Sequence, residues 1–367
     1  MKSYFAIFFS ACILLLSCGK NPAESAASVS SSLSVIPETL DGGASPSPGY
    51  EQKIVFKGNL GEQEMEMTWE VNGTLISGSY TVGAEAVSFS AELSREADPR
   101  ITLKTISEEG IPDGAFQGEW DEKQQLGGEW INTKGNRRIP FSIHPETAAF
   151  YFTETDGKSK EVIMEHRTTV METPEKSCKI TYVYPVFSGL PAPLLRVLNE
   201  QFKPAPVASR AAELETCMAG GPGSSVIHSF TVHSLSAELL SISLHKAEQA
   251  GETGKVIRHS QTRNISLKTG NPVHLNDLFA GDYETYFNNS IREYLATYAG
   301  HEVGLTFEGL AEDNNIEIYS DGIVFHFNPG ENGPFSAGVV RVPFTAEQIL
   351  PVINAAGPLR FMVGRAE

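Results

Sequence analysis

Residues 64–71 read Glu-Met-Glu-Met-Thr-Trp-Glu-Val, and this strict period of two most constrains what the first part of the chain can become. In an extended strand successive side chains point to opposite faces. Met65, Met67, Trp69 and Val71 must therefore share a buried face while Glu64, Glu66 and Glu70 meet water. Asn72-Gly73 supplies a turn, and similar short runs follow at 76–82, 86–93, 101–106, 115–120, 126–132 and 138–143. Turn signals about every ten residues predict an antiparallel all-β domain over residues 51–148, either a small barrel or a curved sheet.

A loose repetition runs through this domain. Gly78-Ser79-Tyr80, Gly118-Glu119-Trp120 and Gly128-Glu129-Trp130 each place an aromatic residue two positions after a glycine. The pattern predicts tight strand starts with a large inward side chain. Glu119 and Glu129, each beside a tryptophan, raise the possibility of a glycosidase pair. Alternation argues against it: if Phe116, Trp120 and Trp130 point inward, both carboxylates point out. The pattern resembles the small β-domain of secreted bacterial lipoproteins, a resemblance that implies no activity.

Residues 149–367 are expected to form an α+β domain, with an antiparallel sheet and packed helices. Strands are predicted at 162–171, 179–186, 225–233, 239–246 and 255–267, and helices at 194–202, 208–218 and 283–299. Near the end, Ser320-Asp321-Gly322 separates two alternating runs, 316–319 and 323–327, and Asp-Gly is a strong hairpin signal. A third strand is expected at 338–344. Thr345 with Gln348 three residues later has the form of a capping box.

The amino terminus carries an address. Lys2 precedes an almost wholly apolar run, residues 4–16, that is shorter than the ~20 residues a membrane-spanning helix needs. It ends in Leu15-Leu16-Ser17-Cys18, the form of a bacterial lipoprotein signal. Residues 1–17 are thus expected to be the signal peptide and Cys18 the lipidation site. The Ser-, Ala- and Pro-rich stretch 18–50 is expected to be a flexible tether. Gly19 in place of Asp favours the outer membrane if the cell has two. The expected location is the extracytoplasmic envelope. In that oxidising compartment Cys178 and Cys217 are expected to form a disulfide, the alternative being two buried free thiols.

The chain has 28 basic and 45 acidic residues, a formal charge of −17. That balance argues against nucleic acid and against docking on anionic headgroups, and it favours cationic partners. Catalytic signatures are sparse. There is no Gly-x-Ser-x-Gly elbow, and no two of the nine histidines are three or four residues apart. His228 and His233, five apart on a predicted strand, are expected to point to opposite faces. His326 lies between Phe325 and Phe327 and should face away from them. No cofactor, metal site or enzyme activity is expected. The Gly- and Pro-rich loop 328–336 is either a connector or a binding surface built from His326, Asn328, Glu331, Asn332 and Phe335.

In order, the chain contains Ile-Ser-Leu-Lys-Thr-Gly (265–270), Leu-Asn-Asp-Leu-Phe (275–279), an amphipathic helix, Ser-Asp-Gly-Ile-Val-Phe-His-Phe-Asn-Pro (320–329) and Ser-Ala-Gly-Val-Val-Arg-Val-Pro-Phe (336–344). This order resembles an extracytoplasmic domain shared by the lysozyme-sensing anti-sigma factor and a peptidoglycan deacetylase. The resemblance spans about residues 160–355. It departs at 247–252, where Ala-Glu-Gln-Ala-Gly-Glu stands in place of the family's Gly-Gly-Ala-His turn. It implies a non-catalytic envelope module that binds or senses a partner, with lysozyme and peptidoglycan as precedents. A cell-wall hydrolase or deacetylase, and a structural part of an envelope assembly, are the alternatives.

Overall fold

The structure is a computed structural model of the 367-residue chain. It describes residues 51–72, 75–83, 85–92, 100–107, 110–153, 157–173, 175, 177–298, 307–310, 315–331 and 339–363. The expected signal, Cys18 and the tether lie outside these residues, as do Asn332 and Phe335.

Eight strands open the fold: β1 (Gln52–Leu60), β2 (Gln63–Asn72), β3 (Leu75–Val82), β4 (Glu85–Glu92), β5 (Arg100–Ile106), β6 (Pro112–Trp120), β7 (Leu126–Asn132) and β8 (Arg138–Thr153). Each pairs antiparallel with the next, and β1 also pairs with β8, which closes an antiparallel barrel. The alternation read from the sequence fills its interior: Met65, Met67, Trp69 and Val71 are buried together with Phe56, Phe116 and Phe141. Ring contacts such as Phe56–Trp69 at 4.7 Å and Phe116–Phe141 at 5.0 Å pack that interior. Glu119 and Glu129 are exposed, Glu129 paired with Arg138 at 3.0 Å.

The glycine repeat has a different cause from tight strand starts. Gly118 and Gly128 face each other across β6 and β7. A Cβ on Gly128 would lie 2.0 Å from the Gln117 carbonyl oxygen, and one on Gly118 would lie 2.8 Å from the Phe141 ring. These positions clear space for aromatic neighbours inside a small barrel.

Strand β8 is the splice between the barrel and the rest of the sheet, and the sequence boundary at 148/149 falls inside it. Its first half pairs with β7 through Leu126↔Ile143. Its second half pairs with β9 (Ser159–Glu172) from Thr147↔Glu165 to Thr153↔Ser159. The sheet then continues through β10 (Cys178–Ser188), β11 (Ser224–Leu235), β12 (Leu239–Gln249) and β13 (Ile257–Ser266). One pair departs from the expected antiparallel order: β10 and β11 are parallel. A parallel pair needs a crossover. Here it is α1 (Ala192–Phe202), a short 3-10 turn and α2 (Ala211–Ala219). Leu198 and Phe202 of α1 are buried against Phe187 and Phe230.

The remaining elements are α3 (Leu275–Leu278), α4 (Tyr283–Tyr298), a three-stranded sheet, α5 (Ala346–Ile349) and α6 (Arg360–Val363). The sheet comprises β14 (Asn315–Ile318), β15 (Gly322–Phe327) and β16 (Val340–Thr345), joined at its first turn by the expected Asp-Gly hairpin, Ile318 opposite Ile323. Phe287, Ile291 and Leu295 of α4 bury against Phe325 and Phe344, which covers one face of this sheet. Thr345 caps α5, its Oγ1 accepting from the Gln348 amide at 3.3 Å. Among the described residues no helix is long and apolar enough to cross a membrane.

Candidate functional site

The polar face of the three-stranded sheet is as buried as its apolar face, because every residue of β14 and β15 lies inside the protein. Hydrogen bonds from β11 and β12 cover it: Ser234 Oγ donates to the Ile318 carbonyl at 2.7 Å, and the Ile318 amide donates to Ser241 Oγ at 3.0 Å. The register sets His326 opposite both Asn315 and Arg341, with Glu317 two pairs further along and on the same face.

These side chains form a charged network. The Arg341 guanidinium is ion-paired with Glu317, whose side chain is 3% exposed. Tyr319 donates its hydroxyl to Glu317 at 2.8 Å, and His326 Nδ1 lies 3.0 Å from the same carboxylate. His233 Nδ1 stands 4.0 Å away and its Nε2 meets Ser243 Oγ at 2.7 Å. His245 continues the polar layer, bonded to Thr231 at 3.0 Å and Ser260 at 2.7 Å. The Nε2 of His326 is buried without a hydrogen-bond partner.

Burial sets the protonation states. It alone would raise the Glu317 carboxyl, but His233, the hydrogen bond to His326 and the Arg341 charge outweigh it and hold the group well below the usual carboxylate range. Burial pushes His233 and His245 down to about 4. At neutral pH His233 is therefore uncharged, and Arg341 is the cation that compensates Glu317. Such a compensated, enclosed network acts as a joint between two sheets and offers no open face to a substrate. Among the described residues no group of three or more His, Cys, Asp or Glu is placed to hold a metal ion.

Asn328 and Glu331, the described part of the candidate loop, are turned to the same structural task. Asn328 Oδ1 accepts from the Ser260 amide at 2.7 Å and its Nδ2 donates to the Ser260 carbonyl at 2.9 Å. The side-chain amide thereby stands in for a neighbouring strand on the edge of β13. Glu331 accepts from the Asn328 amide and side chain, each at 2.8 Å. Asn315 repeats the device, bonding the Thr262 amide at 2.8 Å and the Ser260 carbonyl at 3.2 Å.

A second polar cluster surrounds the disulfide Cys178–Cys217, which the structure contains as expected. Tyr182 on β10 and His228 on β11 stack at 4.5 Å and both bond Glu213 of α2, His228 at 2.6 Å. Arg210 lies 4.2 Å over the Tyr182 ring. Burial and the Glu213 contact push the Tyr182 hydroxyl up to about 12. His228 and His233 thus serve different clusters, and a register irregularity lies between Val232 and Ser234.

An open concave surface lies where β8 and β9 part company. Beyond Thr147↔Glu165, β8 runs back into the barrel while β9 continues along β10, leaving a groove of about 520 Å³. Its walls include Lys123 and Gln125 of the β6–β7 turn, His144 and Glu146 of β8, Glu165, His166 and Thr168 of β9, and Thr181 of β10. Glu146 is paired with Lys57 at 2.8 Å and Glu165 with Arg167 at 2.7 Å. His166 stacks on Phe230 at 4.9 Å, and burial pushes it down to about 4. Sequence reasoning missed this groove because its walls come from three strands and a turn whose meeting depends on where β8 changes partner. The Glu317 network had a partial signal: the Asp-Gly hairpin already places Glu317, Tyr319 and His326 on one sheet face.

Residues 276–347, which span α4 and all three strands of the three-stranded sheet, match a family described as a protein of unknown function, DUF3298. Two solved structures from that family are similar to part of this chain. The one from Bacteroides fragilis is 17% identical, covers 55% of this chain and 97% of its own, and has a TM-score of 0.44. The one from Pseudomonas aeruginosa is 13% identical, covers 52% and 94%, and has a TM-score of 0.40. No curated protein matches the chain.

Proposed function

We propose that this chain is a lipid-anchored envelope protein whose folded part binds a cationic partner outside the cytosol, lysozyme or a peptidoglycan-associated ligand being the chemical type. The observation that carries the reading is the groove at the β8–β9 fork, an open concavity bordered by Glu146 and Glu165 in a chain of 45 acidic and 28 basic residues. An acidic molecule steers cations toward such a concavity over a Debye length of roughly 8–10 Å. The Leu15-Leu16-Ser17-Cys18 sequence supports the anchor. Titrating the full chain in detergent micelles with lysozyme and with soluble peptidoglycan fragments, at 20 and 300 mM salt, tests the reading. Binding that weakens with salt is expected. Absence of binding to both at low salt would remove it.

A second reading, a cell-wall hydrolase or deacetylase, draws on His144, Glu146, Glu165 and His166 bordering one groove. It requires release of reducing ends or acetate from peptidoglycan, lost in a His166→Ala variant. Intact chain that releases neither would dispose of it.

A further inference from the structure

The groove has a property that its side chains do not reveal. Strand β9 pairs with β8 only up to Glu165, and residues 166–172 then pair with β10 alone. Among the described residues no backbone group bonds to the other edge of that stretch. The Thr173 amide donates to the Cys178 carbonyl at 3.1 Å, which sets the hydrogen-bonding phase of the pair. In an antiparallel ladder bonded pairs alternate with non-bonded ones. Residues 171, 169 and 167 therefore exchange bonds with β10, while the amides and carbonyls of His166, Thr168, Val170 and Glu172 point away from it. Pro185 sits opposite His166, a non-bonded position where its missing N–H costs the ladder nothing.

This edge is exposed, with Val170 49% accessible and Thr168 and Thr169 on the surface. Elsewhere in the same sheet, side chains close the edges that the strand order leaves unpaired. Past Tyr182, where β11 leaves β10, Asn199 bonds the Phe187 amide at 2.8 Å and its carbonyl at 3.0 Å. The edge of β13 is covered by Asn315 and Asn328. An unprotected edge rich in β-branched residues is a template for another strand.

We infer that the β9 edge from His166 to Glu172 binds an extended, basic peptide segment of a partner protein by adding it as a strand in the fork. Two features select this occupant. The groove is walled on its other side by Lys123, Gln125 and His144, and a second copy of this chain would bring its own β10 behind its β9 toward that wall. The wall is held in place by the ion pair between Glu122 of the turn and Arg258 of β13. Charge selects the rest, because the chain carries a formal charge of −17 and the groove is lined by Glu146 and Glu165 beside Lys123, with His166 neutral there. Their partners Lys57 and Arg167 are surface ions that a bound cation can displace at little cost. The unpaired edge, residues 166–172, runs about 20 Å at ~3.3 Å per residue, so it suits a segment of about seven residues.

The inference rests on the reading that this chain binds a protein partner, and it specifies where. The test uses the full chain in detergent micelles and a lysine–valine peptide, (Lys-Val)3-Lys, with amide hydrogen exchange as the readout. Saturating peptide is expected to slow exchange of the Thr168 and Val170 amides at least tenfold while leaving Thr169 unchanged. The same peptide N-methylated at alternate backbone positions, and (Glu-Val)3-Glu, should bind at least tenfold more weakly. Thr168→Pro removes an outward donor and spares the β9–β10 ladder, so it should fold and lose the peptide. If it does not fold, Val170→Lys, which sets a like charge on the edge, must weaken binding tenfold. Peptide binding without protection of these amides, or no binding, overturns the inference. Lysozyme failing to bind while the peptide protects the edge would refute the lysozyme reading and keep this one. Lysozyme binding with the edge amides unprotected would do the reverse.

Discussion

Arg341→Met removes the cation that compensates a fully buried carboxylate at neutral pH, and its consequences can be worked from the geometry. Breaking a buried ion pair by deleting one member costs roughly 3–5 kcal/mol, because the other charge stays enclosed. Glu317 would keep two bonds, Tyr319 at 2.8 Å and His326 Nδ1 at 3.0 Å, so the loss should fall at the lower end, about 3 kcal/mol. Its pH dependence is distinctive. With Arg341 present the carboxyl is held low, so the stability it contributes is present above the unfolded value of about 4.3 and lost as pH falls. Without Arg341 the carboxyl rises from that low position, because burial is then opposed only by His233 and the hydrogen bond to His326. Its folded form then gains relative stability as pH falls and it takes up a proton. The deficit of Arg341→Met against the parent should therefore shrink from pH 7 to pH 5. Glu317→Gln combined with Arg341→Met should be more stable at pH 7 than Arg341→Met alone. Urea unfolding followed by far-ultraviolet circular dichroism is the assay. Tryptophan emission would report chiefly the barrel, where Trp69, Trp120 and Trp130 all lie. A deficit below 1 kcal/mol, one that grows as pH falls, or a double variant as unstable as the sum of its singles would refute the reasoning.

Other outcomes rest on the same structure. His233 and His245, held at about 4 when folded against about 6.5 unfolded, bind more protons unfolded, so stability is full above pH 6.5 and falls toward pH 4. Between pH 7 and pH 5 each should cost about 2 kcal/mol, as should His166, which burial also holds at about 4, so His245→Gln should remove about a third of the slope; a flat profile from pH 7 to 5 would count against their enclosure. Replacing Cys178 and Cys217 together by Ala should cost about 4 kcal/mol, since the bridge closes a loop with a sequence separation of 39. An unchanged unfolding midpoint would show that the unfolded chain is already restricted there. Asn328→Ala leaves the Ser260 amide and carbonyl without their side-chain partner and should cost about 1–3 kcal/mol, with faster exchange of the Ser260 amide; no change in that amide would contradict the edge-closing role.

The amino-acid sequence by itself determined everything that depends on neighbours along the chain. Period-two alternation from Met65 to Val71 decided which side of β2 is dry, and the Asp321-Gly322 turn placed β14 against β15 in register. The same local logic set the Thr345 cap and the buried stripe Phe287, Ile291 and Leu295 on α4. It also put Glu119 and Glu129 outside the barrel. Alternation tells the two faces of a strand apart, but it does not say whether both will be covered. His326 was correctly turned away from Phe325 and Phe327, yet the side it turned to is closed by β11 and β12, so a polar residue became part of an enclosed ion network with Glu317 and Arg341. Asn328 became an edge closure for the same reason, because Ser260 approaches it from 68 residues away in sequence. The fork and its open strand edge are tertiary in origin as well. They exist because β8 is long enough to pair with β7 over its first half and with β9 over its second, and no local pattern marks the residue where one partner gives way to the other.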